Sequence, residues 1–373
     1  GITVTPDING IVYVNANASS PSGGNGSSWS SALDSLNTAL DAALTNTSIK
    51  QIWVAKGTYQ PILNSSFFMV KNVKIYGGFA GNETNINQRD LSAGYTSILE
   101  GNSNSVFING NNGITNSAVL DGFTVTGGNG NDGGGIININ VSPVISNCTF
   151  TNNKASFNGG GIYNDHSSPV VSNCIFSNNN AGNGGGICND SSSAPALYNC
   201  NFYLNTASVG GGGQNNNASS ASFTNCNFSG NSASMGAGMQ NINSSPTFTN
   251  CGFTGNSVPI GQGSGMYNQN ASPTLLNCTL SGNNALAGNG GGMYNQNSSP
   301  VITNSIIWGN SDGIDNSGGN PDITYSLVQG FQSSANGNLP GTVNPLFRDA
   351  PAYTTAPFTN GNYQLLAGSL CIN

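Results

Sequence analysis

Between Gly133 and Val328 the apolar positions recur singly or in alternating pairs, and never at helical spacing. The sharpest series is Cys-x-Phe, with Cys148, Cys174, Cys200, Cys226, Cys251 and Cys278 each two residues before Phe150, Phe176, Phe202, Phe228, Phe253 and Leu280. The cysteines are spaced by 26, 26, 26, 25 and 27 residues, and Ser305 and Ser326 take their place in two further units. Five residues before each marker stands proline (Pro143, Pro169, Pro195, Pro246, Pro273, Pro300, Pro321), with Ala221 as the exception. A fixed period of this size marks a solenoid, whose units bury their apolar faces against their neighbours.

Each unit divides into three short extended segments. The first is Gly-rich and ends in Ile136, Ile162, Ile187, Met239, Met266, Met293 or Ile314. The second follows the proline and carries Ile145, Val171, Leu197, Phe223, Phe248, Leu275 or Ile302. The third is Cys-x-Phe, and a period of two puts both side chains on one face, the interior. Three files of asparagine separate the segments: Asn147 to Asn304, Asn153 to Asn310, and Asn138, Asn164, Asn189, Asn216, Asn241, Asn268, Asn295, Asn316. Asparagine tolerates the left-handed backbone of a sharp corner. Stacked coils set its amides about 4.8 Å apart, within bonding reach along a ladder. The expected fold is all-β: a right-handed parallel β-helix, a solenoid with three short strands per coil. The hand follows from the bias of parallel β crossovers.

Outside the repeat the pattern changes. Trp29, Ala32, Leu33, Leu36, Leu40, Ala43 and Leu44 recur at three and four residues, predicting an N-terminal capping α-helix with Ser31 and Asp34 as a capping box. Strands are predicted at 11–15, 52–55, 68–70, 73–76, 98–99 and 106–108, with a Ser/Gly loop at 21–28. Phe123 and Val125 already occupy the Cys and Phe positions. The chain thus reads as a single domain, 1–373: arm and cap at 1–50, irregular coils at 51–132, regular coils of about 26 residues at 133–328, and a closing segment at 329–373.

Composition narrows the partners. Only 6% of the 373 residues are charged and the net charge is −7, which disfavours nucleic acid and anionic membranes. Apolar stretches are too short for a membrane span. No signal peptide is read, and Gly1 is consistent with a leader already removed. The cysteines read as a buried thiol stack rather than disulfides, because coils about 4.8 Å apart exceed the ~3.8 Å that a disulfide's Cβ atoms want. Cys188 falls in the outward register.

Phe-x-x-Asn (Phe150–Asn153 and its copies) and Gly-Gly-Gly-Ile (133–136, 159–162, 184–187) together resemble the repeats of polymorphic outer-membrane proteins, which are β-helix adhesins. Segments 11–15, 51–59, 73–83 and 88–90, with the ending GNYQLLAGSLCIN, are similar to secreted right-handed β-helix proteins of the Bacteroidetes type. In those, a segment like Ala367–Cys371 precedes a choice-of-anchor C-terminal region. The resemblance implies an extracellular or cell-surface location.

Chemistry is sparse. A lyase needs a base and a group that neutralises a uronate; a glycosidase needs a carboxylate pair. Within 133–328 the one lysine is Lys154 and the one histidine is His166. Asp165, His166 and, one coil on, Asp190 come nearest to a catalytic set, against the alternative of a solvated corner. Asp132 ends a single GGxGxD copy (127–132), a candidate Ca²⁺ site where tandem copies are the rule; no other cofactor is expected. The expectation is a non-enzymatic β-helix acting in adhesion or as a structural element, its partners being glycans or proteins of a surface, or itself through the arm at 1–10. The alternatives are a carbohydrate-binding module stacking sugars on Tyr163, Tyr267 and Tyr294, and a polysaccharide lyase or hydrolase.

Overall fold

The computed structural model describes residues 3–18, 24–286 and 289–372; residues 21–23 of the expected loop lie outside them. The chain is an all-β, right-handed parallel solenoid of about ten turns. Three parallel sheets run its length. The glycine sheet holds nine strands from Phe107–Gly110 to Ile314–Ser317, the proline sheet twelve from Ile11–Val14 to Asp322–Thr324, and the cysteine sheet eleven from Gly57–Tyr59 to Leu327–Val328. Register is strict: Phe150 pairs with Phe176, and Ile162 with Ile136 and Ile187.

A fourth ladder, absent from the three-strand reading, joins Asn129–Gly130, Lys154–Ala155, Asn180–Asn183 and Thr206–Val209, and resumes at Ser257–Val258 and Asn284–Ala285. These segments carry Gly, Ser, Asn and Ala rather than an alternating apolar pair, so the period-two signal is missing there.

One continuous core extends from Val12 to Val328. Inside it Phe150, Phe176, Phe202, Phe228 and Phe253 stack face to face at 4.5–4.9 Å with interplanar angles of 4–7°. The Gly-Gly-Gly run makes room for the rings. A Cβ on Gly161 would lie 2.4 Å from the Gly186 carbonyl and 2.9 Å from the Phe176 ring.

The asparagine files divide into two kinds. Asn147, Asn173, Asn199, Asn225, Asn250, Asn277 and Asn304 are exposed and left-handed, with φ of 49–54°. The Asn153 file and the Asn138 file as far as Asn295 are inward and fully buried, the last member Asn316 being exposed, and the left-handed corners fall beside them, at Asn152 and Asn178 and at Asn140, Asn243, Asn270 and Asn297. The third file passes through Asn215, not Asn216: Asn189 donates to Asn215, and Asn215 to Asn241, at 2.9 and 3.0 Å. The run of four glycines at 210–213 hides this register, because Gly213 takes the inward place and Met239 fills it.

At the N-terminal end the helix is shorter than expected, Leu36–Thr45, with Leu36, Ala39, Leu40 and Ala43 buried. The Ser31/Asp34 capping box does not form; Ser35 is the N-cap and makes no side-chain cap bond. Leu33 is extended instead, exchanging backbone bonds with Tyr13 and Asn15, so sheet pairing overrides the helical spacing. Likewise Phe68–Val70 forms no strand, only a bridge from Phe67 to Phe107. The described part of the N-terminal arm lies on its own cap, Thr5 N–H donating to Asn25. At the other end Asn338 continues the core file, accepting from Ser326 N–H. The chain then returns along the cysteine sheet as a strap, with an antiparallel pair Phe347–Asp349 and Asn362–Leu365.

Candidate functional site

Outward residues of the glycine sheet form two parallel files. One reads Ile137, Tyr163, Cys188, Gln214, Gln240, Tyr267, Tyr294, Asp315; the other contains Ile139, Asp165 and Asp190. Asp165 and Asp190 are register partners on adjacent strands, so about 4.8 Å separates their backbones and both side chains leave the same face.

Asp165 Oδ1 lies 2.8 Å from His166 Nδ1, and the imidazole is exposed. His166 has φ of 48° and stands at the corner that Asn140 and Asn243 take in other coils. Asp190 Oδ1 accepts from Ser191 N–H at 2.8 Å and from the Asn217 amide at 2.7 Å. Tyr163 is half-buried. Burial first, then the charges of Asp165, Asp190, Cys188 and Asp132, push its phenol far up, so it remains a neutral proton donor. The fold brings the candidates Asp165, His166 and Asp190 together and sets Tyr163 beside them, a neighbour that the sequence reading does not include. The signal was present, since Tyr163 sits two residues before Asp165 on an alternating strand.

Asp132 is a member of this neighbourhood and is already engaged. Its Oδ1 accepts from Asn158 N–H at 3.1 Å and from the Asn158 amide at 2.8 Å, heading a polar file that continues to Asn183. Among the described residues no group of three or more His, Cys, Asp or Glu is arranged to hold a metal ion.

The tyrosine file is not a flat sugar-stacking platform. Tyr267 is buried, stacked on Tyr294 at 5.6 Å, and donates to Gln296 at 2.8 Å. Cys188 is likewise buried and not reactive, because burial pushes its thiol well up and the nearby Asp190 and Asp132 add to it. Cys148 to Cys278 are free and buried. Another carboxylate, Asp121, is structural. It pairs with Arg89 and accepts from Asn147 at 2.6 Å, anchoring the exposed asparagine file. No described helix is long and apolar enough to cross a membrane.

No family model and no curated protein matches the chain. Three solved structures are similar. A tailspike protein of Acinetobacter baumannii bacteriophage Fri1, gp49, a capsular polysaccharide depolymerase, is 13% identical with a TM-score of 0.47 over 86% of this chain and 59% of that one. Pectate lyase Pel9A is 12% identical with a TM-score of 0.49, over 99% of this chain and 91% of that one. The A-module of the Azotobacter vinelandii mannuronan C-5 epimerase AlgE4 is 10% identical with a TM-score of 0.41, over 85% and 100%. The chain spans 59% of the tailspike's length. All three are enzymes that act on polysaccharides, so the expectation of a chain without enzymatic activity finds no support among them. At these identities the likeness bears on the fold, and what this chain does is argued from its own residues.

Proposed function

We propose that the chain is an extracellular glycoside hydrolase that cleaves a polysaccharide laid across the outer face of the glycine sheet at Asp165 and Asp190. The observation that carries this is the carboxylate pair in register on adjacent strands, with His166 on one member and the Tyr163 phenol beside both. With coils about 4.8 Å apart, the two side chains can set their carboxyls at the ~5–5.5 Å of a double-displacement pair, short of the ~6.5–9.5 Å that leaves room for a water. Asp190, fixed by two N–H donors, attacks the anomeric carbon. Asp165 protonates the departing glycosidic oxygen, with His166 exchanging the proton with solvent. Water then enters where the leaving sugar was and attacks the anomeric carbon, Asp165 accepting its proton, the bond to Asp190 breaks to regenerate the carboxylate, and the configuration is retained. Lyase chemistry lacks support here: this neighbourhood offers four side chains of acidic or phenolic type and, besides His166, no cation to neutralise a uronate.

The test is release of reducing ends from a panel of neutral and acidic polysaccharides, with D165N and D190N compared against the parent. Each variant should lose at least ~10³-fold in kcat while its circular dichroism is unchanged. Proton NMR of the first-formed product should show retention. Activity that survives both substitutions, an unsaturated uronate product, or no cleavage of any polymer in the panel overturns the proposal.

A further inference from the structure

We propose a second carbohydrate site that goes beyond the hydrolase reading: the groove between the cysteine sheet and the returning C-terminal strap binds an uncharged glycan chain. The groove has a volume of about 650 Å³, within the ~300–1,000 Å³ of small-molecule sites. Its floor is made by outward residues of successive coils, and its far wall by Thr359, Asn360, Gly361 and Tyr363 of the strap. Register sets Asn201, Asn227, Gly252 and Thr279 in one file. Asn227 donates to Asn201 at 3.1 Å, and Gly252 interrupts the row: a Cβ there would stand 2.8 Å from Asn227 Oδ1. The missing side chain opens the groove and leaves that amide oxygen facing it.

The strap is held by a fitted socket. Phe358 N–H donates to the Gly255 carbonyl at 3.0 Å, and its ring lies against Gly255 and Gly282, where a Cβ would come within 2.5 Å of ring carbon. The wall is therefore in place before any ligand arrives.

The lining chemistry selects the ligand. Amides, hydroxyls and the phenols Tyr203 and Tyr363 face the groove, and no Asp, Glu, Lys, Arg or His does. Amides bond paired sugar hydroxyls, and a phenol ring packs on the apolar face of a pyranose. Tyr363 is fixed edge-to-face on Phe347 at 5.3 Å. Its hydroxyl is shut off from water and lies beside Thr254 without a properly directed hydrogen bond. A uronate would find no cation, in a protein of net charge −7. The floor offers a peptide no strand edge, because the backbone of these central strands is already paired on both sides.

The experiment is calorimetric titration of the full chain with cellohexaose, xylohexaose, mannohexaose, hexagalacturonate and an unstructured hexapeptide. At least one uncharged hexaose should bind. Tyr203→Ala and Gly252→Asn should each weaken it tenfold or more with circular dichroism unchanged, while D190N leaves it unaltered. That arm separates this site from the hydrolase: D190N abolishing cleavage alone, or no cleavage existing at all, leaves this proposal standing on binding. Three outcomes overturn it: no uncharged hexaose bound at millimolar concentration, binding lost in D190N but kept in both groove variants, or the hexagalacturonate or peptide bound as tightly.

Discussion

Replacing Asn205 by alanine should destabilise the solenoid far more than the same change at Asn199, six residues away. Asn205 is fully buried. Its Oδ1 accepts from the backbone and side-chain nitrogens of Asn179 at 3.1 and 3.0 Å, and its Nδ2 donates to the Phe176 carbonyl at 2.9 Å and to Asn231 Oδ1 at 3.1 Å. Alanine removes four hydrogen bonds and leaves the Asn179 N–H facing a void. At about 0.5–1.5 kcal/mol per bond, with the orphaned donor at the costlier end, the loss is about 3–6 kcal/mol. Asn199 is exposed and makes two ladder bonds, both at 3.1 Å. Water replaces those, so alanine there costs mainly the strain of φ 52°, about 1–2 kcal/mol. Urea denaturation followed by circular dichroism reads the difference, and hydrogen exchange in the flanking coils shows whether the damage spreads beyond nearest neighbours, as it should not in a solenoid. Asn205→Asp is the companion variant: it keeps Oδ1 but turns a buried charge on the Phe176 carbonyl, so it should be at least as damaging at neutral pH and recover on acidification. Coincident midpoints for the Asn205→Ala and Asn199→Ala proteins would refute the reasoning.

Burial raises the Tyr59 phenol to about 12, so stability is full below the unfolded value near 10, then falls as pH rises to about 12, by about 2–3 kcal/mol; Tyr59→Phe should lack this loss in melts taken at pH 8 and 11.5. Native protein should react slowly with a thiol reagent at Cys148, Cys174, Cys200, Cys226, Cys251 and Cys278, because burial shuts them away and holds Cys174 protonated; rapid native labelling of Cys174 would show that the stack is open to solvent.

The solenoid was legible because its inward positions admit so few residues. Phe176, Phe202 and Phe228 each have a ring on either side, and each buried asparagine of the Asn153 file serves as donor and acceptor for its neighbours, so the sequence repeats itself. Where one side chain can stand in for another the signal failed. Met239 filling the place beside Gly213 concealed the register of Asn215, and the fourth ladder uses backbone bonding without an apolar pair. The helix was over-extended because Ala32 and Leu33 fit its apolar stripe, although Leu33 pairs with the first strand. The adjacency of the candidates Asp165 and Asp190 is legible as a spacing of 25, which the period turns into register. The groove was illegible: its wall comes from residues 359–363, and nothing in their sequence says that Phe358 seats on glycines more than a hundred positions earlier, at Gly230 and Gly255.

The placement of the aspartates is itself an argument for a site on the glycine sheet. Outward positions are the ones this fold leaves free, and the file that holds Asp165 and Asp190 otherwise contains Ile139, Ile242, Gln269, Gln296 and Ser317, all uncharged. Like charges directly opposite each other on neighbouring strands are destabilising, and nothing in the stacking of coils demands them. The chain has 14 acidic residues in 373, yet two occupy adjacent rungs, and the donors around them, Ser191, Asn217 and His166, hold them in place rather than neutralise them with a lysine or arginine. Asp121 shows the contrast: a carboxylate in the same fold that serves structure is buried, paired with Arg89 and saturated by Ser146 and Asn147. Asp165 and Asp190 have no lysine or arginine partner and keep partial access to solvent, which is what the proposed carboxylate pair acting on a bound polymer requires.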